Sequence, residues 1–500
     1  MSGTRPLALG LLASALACAA SVEQWNLHEI ELAGPSTGNP FTEVQLSAVF
    51  NRGTKSVEVQ GFYDGGGVYR IRFMPDEQGG WTWRSRSNRP ELNGRTGELE
   101  VTAPSAGNHG PVRVRGKFHF AYADGTPYLP FGTTCYAWAH QGDELEQQTL
   151  ATLRTAGFNK IRMTVFPKDY TYNKNEPVYY PFARDGAGKS DFERFNPEFF
   201  RHFEKRVAQL GQLGIEADII IFHPYDRWGY SRMDEASDFR YLGYLVARLA
   251  AYRNVWWSAA NEYDIMRKPE EIWDKYFQFI QQQDPYAHLR SIHNGRRIYD
   301  HSKPWVTHVS IQHPDTMQVP EWREKWGKPV VDDECEYEGN IPDHWGNLTP
   351  QELVNRVWNG VIGGGYVGHG ETYLDPNDVL WWSKGGALHG ESYKRIAFLR
   401  TLVEEAAEVL DPTPAHWLWR SIATGVQGER LWTYMGVHAP SRYGVPGLPN
   451  DRPYRVDVID AWEMTITTLP KTFRGHTDIP LPGKPYVAVR LRPAEGPDVP

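Results

Sequence analysis

Cysteine is scarce in this sequence. Of 500 residues only Cys18, Cys135 and Cys335 carry a thiol, so no disulfide framework holds the fold and its stability must come from packing. Blocks of basic residues are also missing. The 53 Lys and Arg stand among 61 Asp and Glu, for a net charge of -8, which argues against nucleic-acid and anionic-membrane partners. No Gly-rich phosphate loop opens a helix and no His or Cys cluster has metal-ligand spacing, so neither cofactor nor metal is expected. The only long apolar run, residues 7–16, follows Arg5 and precedes Ala17, Ala19 and Ala20. It is too short to span a bilayer and reads as a secretory signal over residues 1–20, which places the mature chain in the periplasm or outside the cell. Cys18 stands where a lipidated cysteine would, but Ala15 replaces the usual Leu three positions before it; a lipoprotein is the alternative. The abundant residues are 19 Trp and 26 Tyr, flat amphipathic rings of the kind on which the C–H faces of sugars stack.

The chain length exceeds what one core organises, and the pattern divides it. Residues 22–105 alternate with period two in short stretches cut by Gly, Pro and Asn, predicting an immunoglobulin-like antiparallel β-sandwich. Residues 102–110 read as a linker. From there the character changes to apolar strands alternating with helix-length segments. Eight strands are predicted at 128–133, 159–164, 216–222, 255–260, 289–292, 306–311, 329–333 and 365–370, with helices between most of them. The prediction is therefore an α/β fold, a (β/α)₈ TIM barrel over 115–410, with one helix reduced or missing in the 294–304 loop after the fifth strand. β-like runs return over 412–500 as a small C-terminal β domain.

In such barrels the reacting groups sit at the C-terminal ends of the strands. The fourth strand ends in Asn261 and Glu262. The seventh ends in Asp332, Asp333 and Glu334, with Glu336 and Glu338 beyond. Strict alternation puts Asp332, Glu334 and Glu336 on one face and turns Asp333 away. Glu334, the first glutamate past the apolar run, is the expected reacting group; Glu336 is its rival, and Asp332 is expected one layer deeper as a supporting charge. Strands four and seven lie on opposing parts of the ring, so their carboxylates can face each other across the mouth. Opposed carboxylates are what glycoside cleavage needs: one protonates the departing oxygen, the other meets the cationic anomeric carbon. At about 5–5.5 Å separation the second acts as nucleophile and configuration is retained.

These residues, together with Phe131 to Thr134, Asn159 to Arg162, Lys328 to Val331, Tyr337 to Gly339 and Gly363 to Tyr366, resemble the apiosidase-like members of the large clan of retaining (β/α)₈ glycosidases. The opening Val22 to Trp25 and Gly38 to Phe41 resemble the β-sandwich that precedes the barrel in these bacterial proteins. The likeness covers nearly the whole mature chain. It implies Glu262 as acid/base, Glu334 as nucleophile, Asn261 as a hydrogen-bonding partner of the sugar hydroxyl beside the anomeric carbon, and Arg162 as the group that keeps the nucleophile ionised. His313, after the sixth strand, occupies a place where the clan often keeps a ring near the nucleophile. The segment from Gly368 to Tyr373 and the pair Trp381 and Trp382 depart from the family wording, which leaves the particular sugar open.

Other groups at strand ends have two readings each. His223 either lines the subsite or orients its loop. Trp138, Trp381 and Trp382 are either stacking platforms or core. Glu371 either binds a hydroxyl or pairs with a cation. Cys135 and Cys335 lack the His partner of a thiol enzyme and read as inert. Two rivals accompany the expected glycoside hydrolase acting on a plant or bacterial oligo- or polysaccharide. A metal-dependent hydrolase would use His223, His293 and His313, without the close ligand pair such sites need; a non-catalytic glycan-binding barrel would be expected to lose one carboxylate.

Overall fold

The computed structural model describes residues 20–374, 380–405, 410–412, 422–424, 430–445 and 448–494. The expected signal segment, with Cys18, lies outside them, apart from its last residue. Among the described residues no helix is long and apolar enough to cross a membrane.

The N-terminal part is built from seven strands between Ala20 and Thr102. Leu46–Arg52 shows why alternation forms a sheet here: Leu46, Ala48 and Phe50 are buried while their neighbours are not. The long strand Lys55–Tyr63 belongs to both layers, pairing with Leu46–Arg52 through Gln60 and with Val68–Phe73 from Gly61 onward. Gly61 stands at the changeover, where a β-carbon would meet the Leu46 side chain at 2.7 Å. Phe50 and Phe73 stack at 3.9 Å in the core between the layers.

This domain is locked to the barrel by buried charge. Arg72 bonds the Arg248 carbonyl at 2.7 Å and pairs with Glu204 at 2.9 Å. Arg248 in turn pairs with Glu204 and with Asp64, and both guanidinium groups lie over the Phe62 ring. Each cation here has its carboxylate, the condition for burying it at acceptable cost.

Eight parallel strands form the barrel: β1 (Gly132–Thr134), β2 (Lys160–Thr164), β3 (Glu216–Phe222), β4 (Val255–Ala260), β5 (Arg290–Ser291), β6 (Val309–Gln312), β7 (Val330–Glu334) and β8 (Tyr366–Val367). β1 to β5 and β6 to β8 pair in order. The ring closes at one seam through the Thr133–His369 bridge. At the β5–β6 seam Thr307 donates its amide to Arg290, and Asn294 exchanges side-chain bonds with Gln312. Helices α1 (Asp143–Ala156), α2 (Pro197–Gln212), α3 (Glu235–Leu249), α4 (Glu270–Gln283), α5 (Val319–Trp326), α6 (Pro350–Ile362) and α7 (Ser392–Glu405) surround it. As expected, no helix follows β5, the 294–304 segment crossing as loop.

The N-terminal mouth is stoppered by an antiparallel unit, Val112–Arg115, His119–Tyr122 and Pro127–Tyr128, whose Val112, Phe120 and Tyr128 pack on Trp256, Leu289, Val331 and Tyr366. Tyr128 thus belongs to the stopper, and the first barrel strand begins later than the sequence pattern implied. With that end plugged, the open end of the barrel is its C-terminal mouth. Among its described residues the C-terminal domain has a five-stranded and a two-stranded antiparallel sheet around one small core, joined to α6 by stacking of Tyr434 on Trp358 at 5.2 Å.

Candidate active site

The ends of β2, β4 and β7 are joined by one guanidinium. Arg162 donates from Nη1 to Glu334 Oε1 and from Nη2 to Asn261 Oδ1, both at 3.0 Å. Tyr136, after β1, donates its hydroxyl to the same Asn261 oxygen at 3.1 Å. Glu262 follows Asn261 with φ of 50°, a left-handed conformation that costs a non-glycine residue energy and clusters at functional sites. Glu262 and Glu334 are 9 % and 8 % exposed, recessed yet open to the mouth.

Glu334 reaches this place through an irregularity. Ile311 pairs with Asp332 and Gln312 with Glu334, so Asp333 is the extra residue of a β-bulge. The bulge breaks the period-two alternation and aims Asp333 and Glu334 both at the barrel interior. Asp333 accepts from Lys160 at 2.8 Å and from Ser310 at 2.6 Å, and Lys160 also pairs with Asp218 at 2.6 Å. The supporting charge one layer below Glu334 is therefore Asp333, and the expectation for Asp332 is corrected. Asp332 leaves the interior and senses Arg356 of α6; burial pushes its carboxyl well up. Glu336, the rival, is paired with Arg356 at 2.9 Å.

The protonation of Glu334 follows from competing effects. Burial pushes its carboxyl up to about 8, with the Tyr337 hydroxyl working against the rise. The Arg162 ion pair at 3.0 Å opposes it more strongly. At an effective dielectric of about 20, unit charges that close attract by ~5 kcal/mol, or roughly 4 pK units, so Glu334 is held as the anion. Burial raises Glu262 above its ordinary range, while the Tyr225 hydroxyl and Lys168 lower it. The arrangement can supply an ionised carboxylate and a protonated one across a single mouth.

The other expected site residues divide. His223 bonds the Phe166 carbonyl at 3.0 Å and is fully buried, its ring pushed down to about 4; it orients the loop after β2. His313 turns its ring toward Trp322 and takes the Asp315 amide at 3.1 Å, meeting Glu334 through backbone alone. The imidazole near Glu334 is instead His293 after β5, with Nε2 at 3.7 Å. Burial drives its pKa far down, so the ring is neutral. These three histidines do not converge. Trp138 and Trp381 are core, Trp381 donating to Thr133 Oγ1 at 2.9 Å. Trp382 is the member of its pair that faces the mouth, edge-on to Tyr136 at 5.3 Å. Glu371 is wholly buried and accepts the His389 and Gly390 amides, next to Glu338, which takes the Glu391 and Ser392 amides at the start of α7. Cys135 and Cys335 are buried thiols whose pKa values burial pushes up.

Half-buried Tyr170, Tyr225 and Trp345 join Tyr136, Tyr337 and Trp382 to line the mouth. The sequence pattern marked Trp382 as a candidate platform and Tyr337 only within the family likeness; for Tyr136, Tyr170 and Tyr225 the signal is a place shortly after a strand end, and Trp345 has none.

Residues 115–410 match the family of apiosidase-like catalytic domains. Residues 21–88 and 419–492 match two domains of unknown function, DUF5060 and DUF5605. No curated protein matches the chain. A crystal structure of a candidate glycoside hydrolase from Bacteroides vulgatus ATCC 8482 is 39 % identical, covering 95 % of this chain and all of that one, with a TM-score of 0.90. A family 5 glycoside hydrolase from the same organism shares the fold at 16 % identity and a TM-score of 0.60, over 77 % of this chain and 93 % of its own.

Proposed function

We propose, from the premise that this chain belongs to the apiosidase-like family and is a glycoside hydrolase, that it cleaves its substrate with retention, Glu334 as nucleophile and Glu262 as acid/base. The observation that carries this reading is the Arg162 clamp. One buried guanidinium holds Glu334 anionic and aligns Asn261 beside Glu262. In the first step Glu334 attacks the anomeric carbon while Glu262 protonates the leaving oxygen; in the second, Glu262 takes a proton from the water that releases the sugar. Asn261 and Tyr136 are positioned to read the hydroxyl next to the reacting carbon, and the rings of the mouth offer apolar faces for the sugar. The proposed substrate is a plant or bacterial oligo- or polysaccharide, met after export through the N-terminal signal.

The test begins with a panel of aryl glycosides and polysaccharides to find a substrate, followed by the configuration of the first-formed product. Glu334→Gln should abolish turnover with an unchanged melting temperature. Azide should revive Glu334→Gly and give product of opposite configuration. An inverted wild-type product, or an active Glu334→Gln beside an inactive Glu336→Gln, refutes the assignment.

A further inference from the structure

Lys168, after β2, is 2 % exposed. Its ammonium lies 3.7 Å from the centre of the Tyr136 ring, 4.4 Å from those of Tyr225 and Trp382, and 5.1 Å from that of Tyr170. Ring faces attract a cation but engage none of its three N–H donors in a strong bond. Among the described residues it forms no ion pair within 4 Å. A side chain caged in this way is held in place with no carboxylate in contact.

What faces it decides what it acts on. Arg162 is committed to Glu334 and Asn261. Asp264 accepts the amides of Gly295, Arg296 and Arg297, and Asp226 those of Trp228, Gly229 and Ser231. His223 is neutral. The remaining group is Glu262, which shares Tyr225 with Lys168 and follows Asn261, the residue bonded to the caging Tyr136. Their influence is mutual: Lys168 lowers Glu262, and Glu262 offsets part of the burial that brings Lys168 down to about 7.

We propose that Lys168 is a positioning residue acting through Glu262, its caged ammonium stabilising the carboxylate that forms when Glu262 gives up its proton. The inference rests on Glu262 being the acid/base. As the bond from anomeric carbon to oxygen breaks, its electron pair stays on the leaving oxygen, which takes the Glu262 proton, and Glu334 forms the new bond to carbon. A negative charge then appears on Glu262 among aromatic rings and little water. A cation fixed beforehand stabilises that charge with no reorganisation, and it does so again before the carboxylate takes a proton from water.

The test compares Lys168→Met, Lys168→Gln and Lys168→Arg by the pH dependence of kcat/KM on a substrate with a poor leaving group, alone and with Glu262→Ala. The basic limb of the wild type belongs to the Lys168–Glu262 pair. Loss of the cation in the Met or Gln variant should move that limb upward by about one pH unit and lower kcat about tenfold, while Arg keeps the limb near its wild-type position. On an activated aryl glycoside, adding Lys168→Met to Glu262→Ala should cause little further loss. An unmoved limb with a raised KM would make Lys168 a substrate ligand and overturn the proposal, as would an equal limb shift in Lys168→Arg. If Glu262→Ala itself preserves the basic limb, the assignment of Glu262 fails instead.

Discussion

Replacing Arg162 by Met removes the cation that opposes burial at Glu334 while filling much of the same space. Without the ion pair at 3.0 Å, the carboxyl should drift toward the value burial sets, about 8. The sign is fixed: a nucleophile must be ionised, so raising its pKa moves the acidic limb of kcat/KM to higher pH. At pH 6 the shift leaves roughly one molecule in a hundred ionised, and kcat/KM should fall about 100-fold below its own plateau. Removal of a buried cation also leaves Glu334 without its ion pair and Asp218 and Asp333 with Lys160 alone, costing about 3–5 kcal/mol of stability. Arg162→Lys therefore serves as the control, returning charge without the two-pronged contact. The assay is the pH profile on an activated aryl glycoside, with thermal unfolding in parallel. A uniform loss of activity with the acidic limb unmoved would show that Arg162 acts on the substrate and not on Glu334.

Three other outcomes are expected. Glu262→Ala should lose most activity on substrates with poor leaving groups and little in the first step on activated ones, where an intermediate on Glu334 accumulates; equal loss on both classes, measured by pre-steady-state kinetics, counts against the acid/base assignment. Asp333→Asn should impair turnover through Lys160 and Arg162, whereas Asp332→Asn should not. Because burial raises Asp332, its proton favours the fold below the unfolded pKa and this contribution fades as pH rises, so Asp332→Asn should gain on wild type in melting temperature toward alkaline pH; parallel melting curves at every pH would contradict this. Deleting the residues before His109 strips Glu204 and Arg248 of Arg72 and Asp64, so stability or expression should fall far more than the intrinsic chemistry of what still folds. Activity in the isolated N-terminal fragment would overturn the domain reading.

Much of the architecture is legible in the chain because each strand of a closed parallel barrel is buried on both faces and so reads as a short apolar run. β3 and β4 match their expected bounds, 216–222 and 255–260, to the residue, and the loop that replaces a helix after β5 is visible as a segment without helical period. Glu262 and Glu334 are conspicuous for a related reason: each is a glutamate close behind such a run, at the mouth end of its strand. Where the reading went astray, the deciding interaction came from another strand or loop. Alternation assigned Asp332 to the interior because period two presumes a regular ladder, and the bulge that substitutes Asp333 exists only in the pairing of β7 with β6. Trp381 and Trp382 are equivalent as letters; the turn at 381–384 sends one to Thr133 and the other to the mouth. His313 and His293 both follow strands, and only packing turns one ring to Trp322 and the other to Glu334. Lys168 carries no local mark at all, since the four rings that cage it come from loops after β1, β2, β3 and β8. Local periodicity determines which segments are buried, but the direction of a polar side chain at a strand end is set by partners distant in sequence, and those only tertiary contact supplies.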